Sequence, residues 1–285
     1  MSDPFVALNG TLIPTDTASV PISDRGLLYG DGLFETIRIY NGVPFRLHSH
    51  LNRLSKAAET LRFRTTLTEQ AFEATISELL SANVRSDGVL RVMVTRGSGE
   101  PGLDPNEALV PTVLMTTSPA RATLAPGCHV VTVQARRDER SPLSLLKSIN
   151  YLPNILARFE VKDRNADEGL SLNVAGAVAE GTVSNVFWMK GSVLYTPAIS
   201  CGILAGVTRQ IVLEIAEKEG ILVAEGSFGL SALRGAEALL LTNSLIELVS
   251  ASRLDDLCFE NRDHPIITKL QDAYRQIVGR ETTSS

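Results

Sequence analysis

The chain has 285 residues, 44% of them hydrophobic and 21% charged, with a formal net charge of −5; this is apolar enough for a buried core and too weakly charged for disorder. No basic excess is present to hold a nucleic-acid backbone, and no apolar run approaches the roughly 20 residues that span a bilayer, so neither nucleic acid nor membrane is expected as a partner. The start MSDPFVALNG lacks the basic region and apolar core of an export signal, and Cys128, Cys201 and Cys258 are widely separated, so a reducing, cytoplasmic setting is expected.

In chain order, residues 5–8, the turn Asn9-Gly10 and residues 11–13 predict a hairpin. Residues 33–40 predict a strand that closes at Asn41-Gly42 and resumes over 43–47. Over 49–61 the period changes: Leu51, Leu54, Ala58 and Leu61 share one helical face, and Phe72, Ile76, Leu79 and Leu80 mark a second helix. Residues 89–95 and 111–117 are rich in β-formers. The stretch SPARATLAP at 118–126 interrupts the pattern as a linker would.

The second half opens with a strand at 129–135. From about Tyr151 a helix is predicted with Leu152, Ile155, Leu156 and Phe159 on its apolar face. Short strands follow at 170–174, 186–189 and 193–195, then a helix at 207–219, a strand at 238–241 and a final helix at 266–278. Strands and helices mix without regular βαβ alternation, so the class is α+β. The division expected is a small N-terminal α/β domain at 1–120, a linker at 121–126, and a larger C-terminal α/β domain at 127–285 that carries Lys147.

The run from Gly97 to Gly102 matches G-x-G-x-x-G, but Pro101, Pro105 and Pro111 leave no room for the helix a dinucleotide site needs, so it reads as a loop. His48 and His50 have no third ligand at metal spacing and read as a helix-entry or surface pair; no metal is expected. The chain has neither H-E-x-x-H nor G-x-S-x-G, so zinc and serine hydrolases both lack their minimum parts. Lys147 stands where an apolar stretch meets a helix start. Taken alone it fits a surface lysine, but apolar surroundings would favour the free amine that attacks a carbonyl. The loop from Gly202 to Arg209 delivers the chain into a helix whose N-terminus suits a phosphate, with Thr208 adding a hydroxyl. Glu180 precedes Ser184-Asn185, and Thr242-Asn243-Ser244 forms a further polar cluster. A phosphate cradle near an imine-forming lysine fits pyridoxal 5'-phosphate.

These blocks also carry a resemblance. Ser23-Asp24-Arg25-Gly26, Tyr29-Gly30-Asp31-Gly32-Leu33-Phe34-Glu35, His50-Leu51-Asn52-Arg53-Leu54, Lys147-Ser148-Ile149-Asn150-Tyr151, the run from Glu180 to Asn185, and Gly206-Val207-Thr208-Arg209 occur in this order. The series resembles the class IV (fold type IV) pyridoxal-phosphate enzymes, which include branched-chain and D-amino acid aminotransferases and 4-amino-4-deoxychorismate lyase. The resemblance implies a two-domain α+β fold with the cofactor between the domains, and a homodimer. It implies Lys147 as Schiff-base lysine and proton carrier, and Glu180 as partner of the pyridine nitrogen. Arg53, Val207, Thr208 and Ser244 would hold the phosphate, with Ser184 and Asn185 close by, and Tyr151 would reach the phenolic oxygen.

Within the family, D-amino acid aminotransferases carry a tyrosine at the position of Phe34 and an R-x-H pair in the loop after Arg96-Gly97, both missing here. Arg91 and the loop Gly102-Leu103-Asp104-Pro105 resemble short branched-chain aminotransferases, which pair their substrates with 2-oxoglutarate. Phe34-Glu35-Thr36, the run from Ser184 to Trp188, Tyr195-Thr196-Pro197 and Thr242-Asn243-Ser244 resemble the lyases. The resemblance therefore implies a lyase first, giving 4-aminobenzoate for folate synthesis and pyruvate. The substrate is expected to carry an amino group and a carboxylate, with Phe34, Arg91 and Asn243 as its contacts.

Overall fold

Alternating apolar residues build the first sheet from β1 (Phe5–Leu8), β2 (Thr11–Pro14), β3 (Gly32–Tyr40), β4 (Val43–Pro44), β5 (Gly88–Thr95) and β6 (Thr112–Ser118). Its order is β2-β1-β6-β5-β3-β4, and every pair is antiparallel. One face, with Leu33, Ile37 and Ile39 of β3 and Leu90, Val92 and Val94 of β5, packs on α2 (Leu47–Thr60) and α3 (Glu69–Ala82) through Leu51, Leu54, Ile76 and Leu79. A short helix α1 (Arg25–Tyr29) starts at Asp24, whose side chain accepts from the Gly26 N–H, and stops at Gly30 at φ 66°. At five residues it is too short to show a period.

The computed structural model describes residues 3–63, 68–104, 109–120, 124–259 and 264–283. Two compact units divide the chain: Met1–Arg121 with Leu146–Asn150 and Glu281–Ser285, and Ala122–Leu145 with Tyr151–Arg280. The linker expected at 121–126 falls partly on 121–123, outside the described residues, as does Pro105 of the loop after Gly102. The segment carrying Lys147 groups with the first unit, whereas the sequence places it in the second half. Hydrogen bonding decides this. The Phe34 N–H donates to the Lys147 carbonyl at 2.9 Å, the Ile149 N–H donates to the Gly32 carbonyl at 3.0 Å, and Leu33 bridges Ser148. Because β4 covers only Ile39 and Tyr40 of that β3 edge, the start of the edge is open to this segment.

The second unit holds β7 (Cys128–Thr132), α4 (Leu152–Asp163), β8 (Glu168–Leu172), β9 (Val178–Gly181), β10 (Asn185–Lys190), β11 (Val193–Pro197), α5 (Val207–Lys218), β12 (Leu222–Gly226), β13 (Ala238–Asn243), β14 (Glu247–Leu254), β15 (Leu257–Cys258) and α6 (Pro265–Glu281). The sheet order is β12-β11-β10-β13-β14-β7-β8-β9, with β15 on β14. Its core includes Trp188 stacked on Tyr195 at 5.7 Å, with Phe228 edge-on to both.

Helix α4 forms where expected and carries its apolar stripe on the outside. Its Ala157 and Val161 pack inward against Val131 and Val133, while Leu152, Ile155, Leu156 and Phe159 are exposed. Periodicity locates an apolar face but not what covers it.

Candidate active site

On β3 the side chains alternate, so Glu35 lies on the apolar face between Leu33 and Ile37. A carboxylate there needs partners. Arg53 donates through Nε to Oε1 at 2.8 Å and through Nη2 to Oε2 at 2.6 Å, and His50 donates from Nδ1 to Oε2 at 2.7 Å. The Glu35 and His50 side chains are only 1% and 2% exposed, so His50 is no surface residue. Burial alone would raise the Glu35 carboxyl; the charge of Arg53 and the hydrogen bonds from His50 and Arg53 outweigh it and hold the pKa at about 2. His50 is shifted down, chiefly by burial, against the pull of Glu35 and with the positive charges of Arg53 and Lys147 adding to the effect.

This gives a pH prediction. A depressed carboxyl stabilises the fold fully above its unfolded pKa, near 4.5, and the contribution fades as pH falls to about 2. Unfolding of the native chain and Glu35→Gln, compared by denaturant titration, is expected to differ most at neutral pH and to converge toward pH 2. A gap that stays constant with pH would contradict it.

Phe34 points to the opposite face of β3. The Lys147 Nζ lies 4.4 Å from its ring centroid and the Arg91 Cζ 4.0 Å, so one aromatic ring meets both cations. Phe34, Arg91 and Lys147, expected as site residues, are thus neighbours in the first unit. Arg25 and Arg96, which the sequence did not mark as site residues, both donate to the Asp31 carboxylate. Arg25 also donates to the carbonyls of Gly102 and Leu103, fixing the loop that the glycine pattern suggested.

The second unit carries the remaining groups. Glu180 lies in β9 as a buried carboxylate. Its Oε1 pairs with Arg137 Nη2 at 3.0 Å, and its Oε2 accepts from Asn185 Nδ2 at 3.2 Å and the Leu204 N–H at 2.9 Å. Arg137 is itself tied to the carbonyls of Ser144 and Gly202. In sequence it sits in the charged run ARRDER, which reads as solvated surface, so nothing there reveals it.

Three expected contact residues direct their side-chain bonds to protein. Asn185 holds Glu180 and the Leu204 carbonyl, Ser184 donates to the buried Glu168, and Asn243 donates to the Val183 carbonyl while accepting from the Leu245 and Ile246 N–H groups. They shape the turns around Glu180. Ser244 is half-buried in the turn between β13 and β14, and Tyr151 caps α4.

Helix α5 begins at Val207 after Gly206, with no side-chain cap, and Thr208 is buried in its first turn. A Cβ on Gly206 would stand 2.0 Å from Asn185 Oδ1, so only glycine lets the chain run so close there. In the second unit an uncapped helix start with a threonine hydroxyl suits a phosphate and a carboxylate ringed by donors suits a protonated ring nitrogen, and in the first unit a lysine amine suits an aldehyde. The donor set therefore fits pyridoxal phosphate. Among the described residues no group of three or more His, Cys, Asp or Glu side chains could hold a metal ion.

Residues 32–254 match the family model of the amino-transferase class IV proteins. The chain belongs to this family. Class IV aminotransferases are pyridoxal-phosphate enzymes of fold type IV, and the α+β architecture described above is theirs. This class IV chain is 37% identical to a putative branched-chain-amino-acid aminotransferase of Methanocaldococcus jannaschii, covering 95% of this chain and 96% of that one. It is 33% identical to the aminodeoxychorismate lyase of Bacillus subtilis, covering 95% and 94%. Among solved structures, the branched-chain aminotransferase of the archaeon Thermoproteus uzoniensis with norvaline superposes with a TM-score of 0.89 at 29% identity, covering 97% of this chain and 95% of that one.

Proposed function

We propose that this class IV enzyme is a 4-amino-4-deoxychorismate lyase, releasing 4-aminobenzoate, a folate precursor, and pyruvate. Lys147 would attach the cofactor and carry the proton. Arg53 and the α5 start at Val207 and Thr208 would hold its phosphate, with Ser244 beside them, and Tyr151 would bond its phenolic oxygen. When bound, pyridoxal phosphate supplies an electron sink for the carbon that bears the substrate's amino group. Glu180 keeps the ring nitrogen protonated, and Arg137, Asn185 and the Leu204 N–H hold its side chain in place. The freed Lys147 amine takes the proton from the amino-bearing carbon. Arg91, on the ring of Phe34, would meet a substrate carboxylate.

One observation carries the choice of lyase. Three of the lyase-like blocks pack together in the second unit, where Asn185 pairs with Thr242, Trp188 with Tyr195, and Asn243 holds Val183, and the 33% identity to the B. subtilis aminodeoxychorismate lyase supports the same reading. A second reading, a branched-chain or broad aminotransferase using 2-oxoglutarate, is favoured by the 37% identity to the M. jannaschii chain. The two share proton removal by Lys147 and differ in where Lys147 delivers that proton. A D-amino acid aminotransferase is disfavoured by Phe34 and by Glu100-Pro101-Gly102-Leu103. Freshly made aminodeoxychorismate, supplied to cofactor-loaded protein, is expected to give equal amounts of 4-aminobenzoate and pyruvate. No release, with turnover of leucine and 2-oxoglutarate instead, would replace the lyase with the transaminase.

The working form proposed is a cytoplasmic homodimer. Leu152, Ile155, Leu156 and Phe159 form an exposed apolar stripe on α4, and a second copy would bury it. Each such side chain gains about 1.5–3 kcal/mol on full burial. Leu156→Glu with Phe159→Glu is expected to shift the protein to monomer in light scattering at micromolar concentration; an unchanged dimer would exclude α4 from the interface.

A further inference from the structure

We propose that Glu35 and His50 are positioning residues that fix the Arg53 guanidinium as a phosphate clamp; this rests on Arg53 binding the cofactor's phosphate. Arg53 and His50 are three residues apart on α2 and therefore share a helix face. Both reach the same buried carboxylate, and both donate to its Oε2. A guanidinium is planar, so a fork that grips Glu35 through Nε and Nη2 also fixes the direction of Nη1. His50 holds the carboxylate against rotation from a second side.

The placement argues for position rather than packing or charge. An aliphatic residue between Leu33 and Ile37 would fill this face of the sheet without the desolvation that a carboxylate suffers. A negative charge beside an anion site also opposes anion binding. Glu35 therefore helps phosphate binding only by aiming Arg53, and this gives its removal a sign that distinguishes the two effects.

The test titrates the full chain, stripped of cofactor, with pyridoxal phosphate and separately with pyridoxal, which lacks the phosphate. Affinities are read by absorbance and fluorescence, and melting temperatures by calorimetry. Glu35→Gln is expected to weaken pyridoxal phosphate by about tenfold or more while leaving pyridoxal within about twofold. His50→Asn, which keeps an N–H near the Nδ1 position, is expected to retain the preference for the phosphate ester; His50→Leu is expected to lose it. Equal or tighter pyridoxal phosphate binding by Glu35→Gln would overturn the inference, because charge would then outweigh position. Equal weakening of both ligands would also overturn it, as a merely structural effect. If Arg53→Met loses the preference and Glu35→Gln keeps it, the inference alone fails. If the native chain shows no preference, the proposed cofactor role of Arg53 fails with it.

Discussion

Lys147→Ala is expected to abolish turnover, with a loss of at least about 10⁴-fold, because one substitution removes both the proposed covalent anchor of the cofactor and the proposed proton carrier. The fold is expected to survive it. The segment is tied to β3 through the Lys147 carbonyl and the Ile149 N–H, and neither bond involves the lysine side chain. Truncation removes the ammonium from the Phe34 ring, an interaction worth about 0.5–2 kcal/mol. Melting temperature and product release, measured on the same preparation, check both halves of the expectation. Activity within about tenfold of the native chain would remove Lys147 from the chemistry.

Glu180→Gln is the second large effect, and its direction follows from partner chemistry. Arg137 on Oε1 and Asn185 and the Leu204 N–H on Oε2 all donate to the carboxylate. An amide offers one acceptor oxygen and one donor nitrogen, so at least one donor must face another donor. That mismatch costs about 1–3 kcal/mol of stability. The neutral amide also no longer favours a protonated ring nitrogen, so kcat is expected to fall by about 10²-fold or more. Cofactor retention is expected to change little, since the phosphate contacts proposed lie elsewhere. A stopped-flow measurement of proton removal, using substrate deuterated at the amino-bearing carbon, separates this step from binding. An unchanged rate and isotope effect would contradict the role of Glu180.

What could be read in advance depended on whether a residue's role is local. The faces of α2 and α3 were legible because Leu51, Leu54, Ile76 and Leu79 repeat at helical spacing and meet a single sheet. The same rule identified the stripe on α4 but left its exposure open, since period is a property of one helix and burial is a property of what packs on it. Strand β14 was missed because Ser250, Ser252 and Arg253 break its apolar alternation, and β12 because it is an edge strand with little buried surface.

The site divides in the same way. Lys147 and Glu180 stand in ordered blocks and are proposed from resemblance, together with Arg53 and the α5 start. Their supporting residues were not found, because support comes from groups distant in sequence. Arg137 reaches Glu180 from 43 residues upstream, out of a run that looks solvated. His50 reads as half of a helix-entry or surface pair; it does lie at the start of α2, but β3 places Glu35 beneath it and buries it. Asn185, Ser184 and Asn243 were expected as cofactor or substrate contacts, and the hydrogen-bond geometry shows that they hold turns and carboxylates.

The proposed chemistry depends most heavily on Lys147 as the residue that binds the cofactor covalently. Borohydride reduction of the loaded protein, followed by proteolysis and mass mapping, tests it directly. The expected result is one phosphopyridoxyl adduct per chain, on the peptide that contains Lys147, and none on Lys147→Ala. Label on another lysine, or no stable label on a protein that turns over substrate, would contradict that assignment.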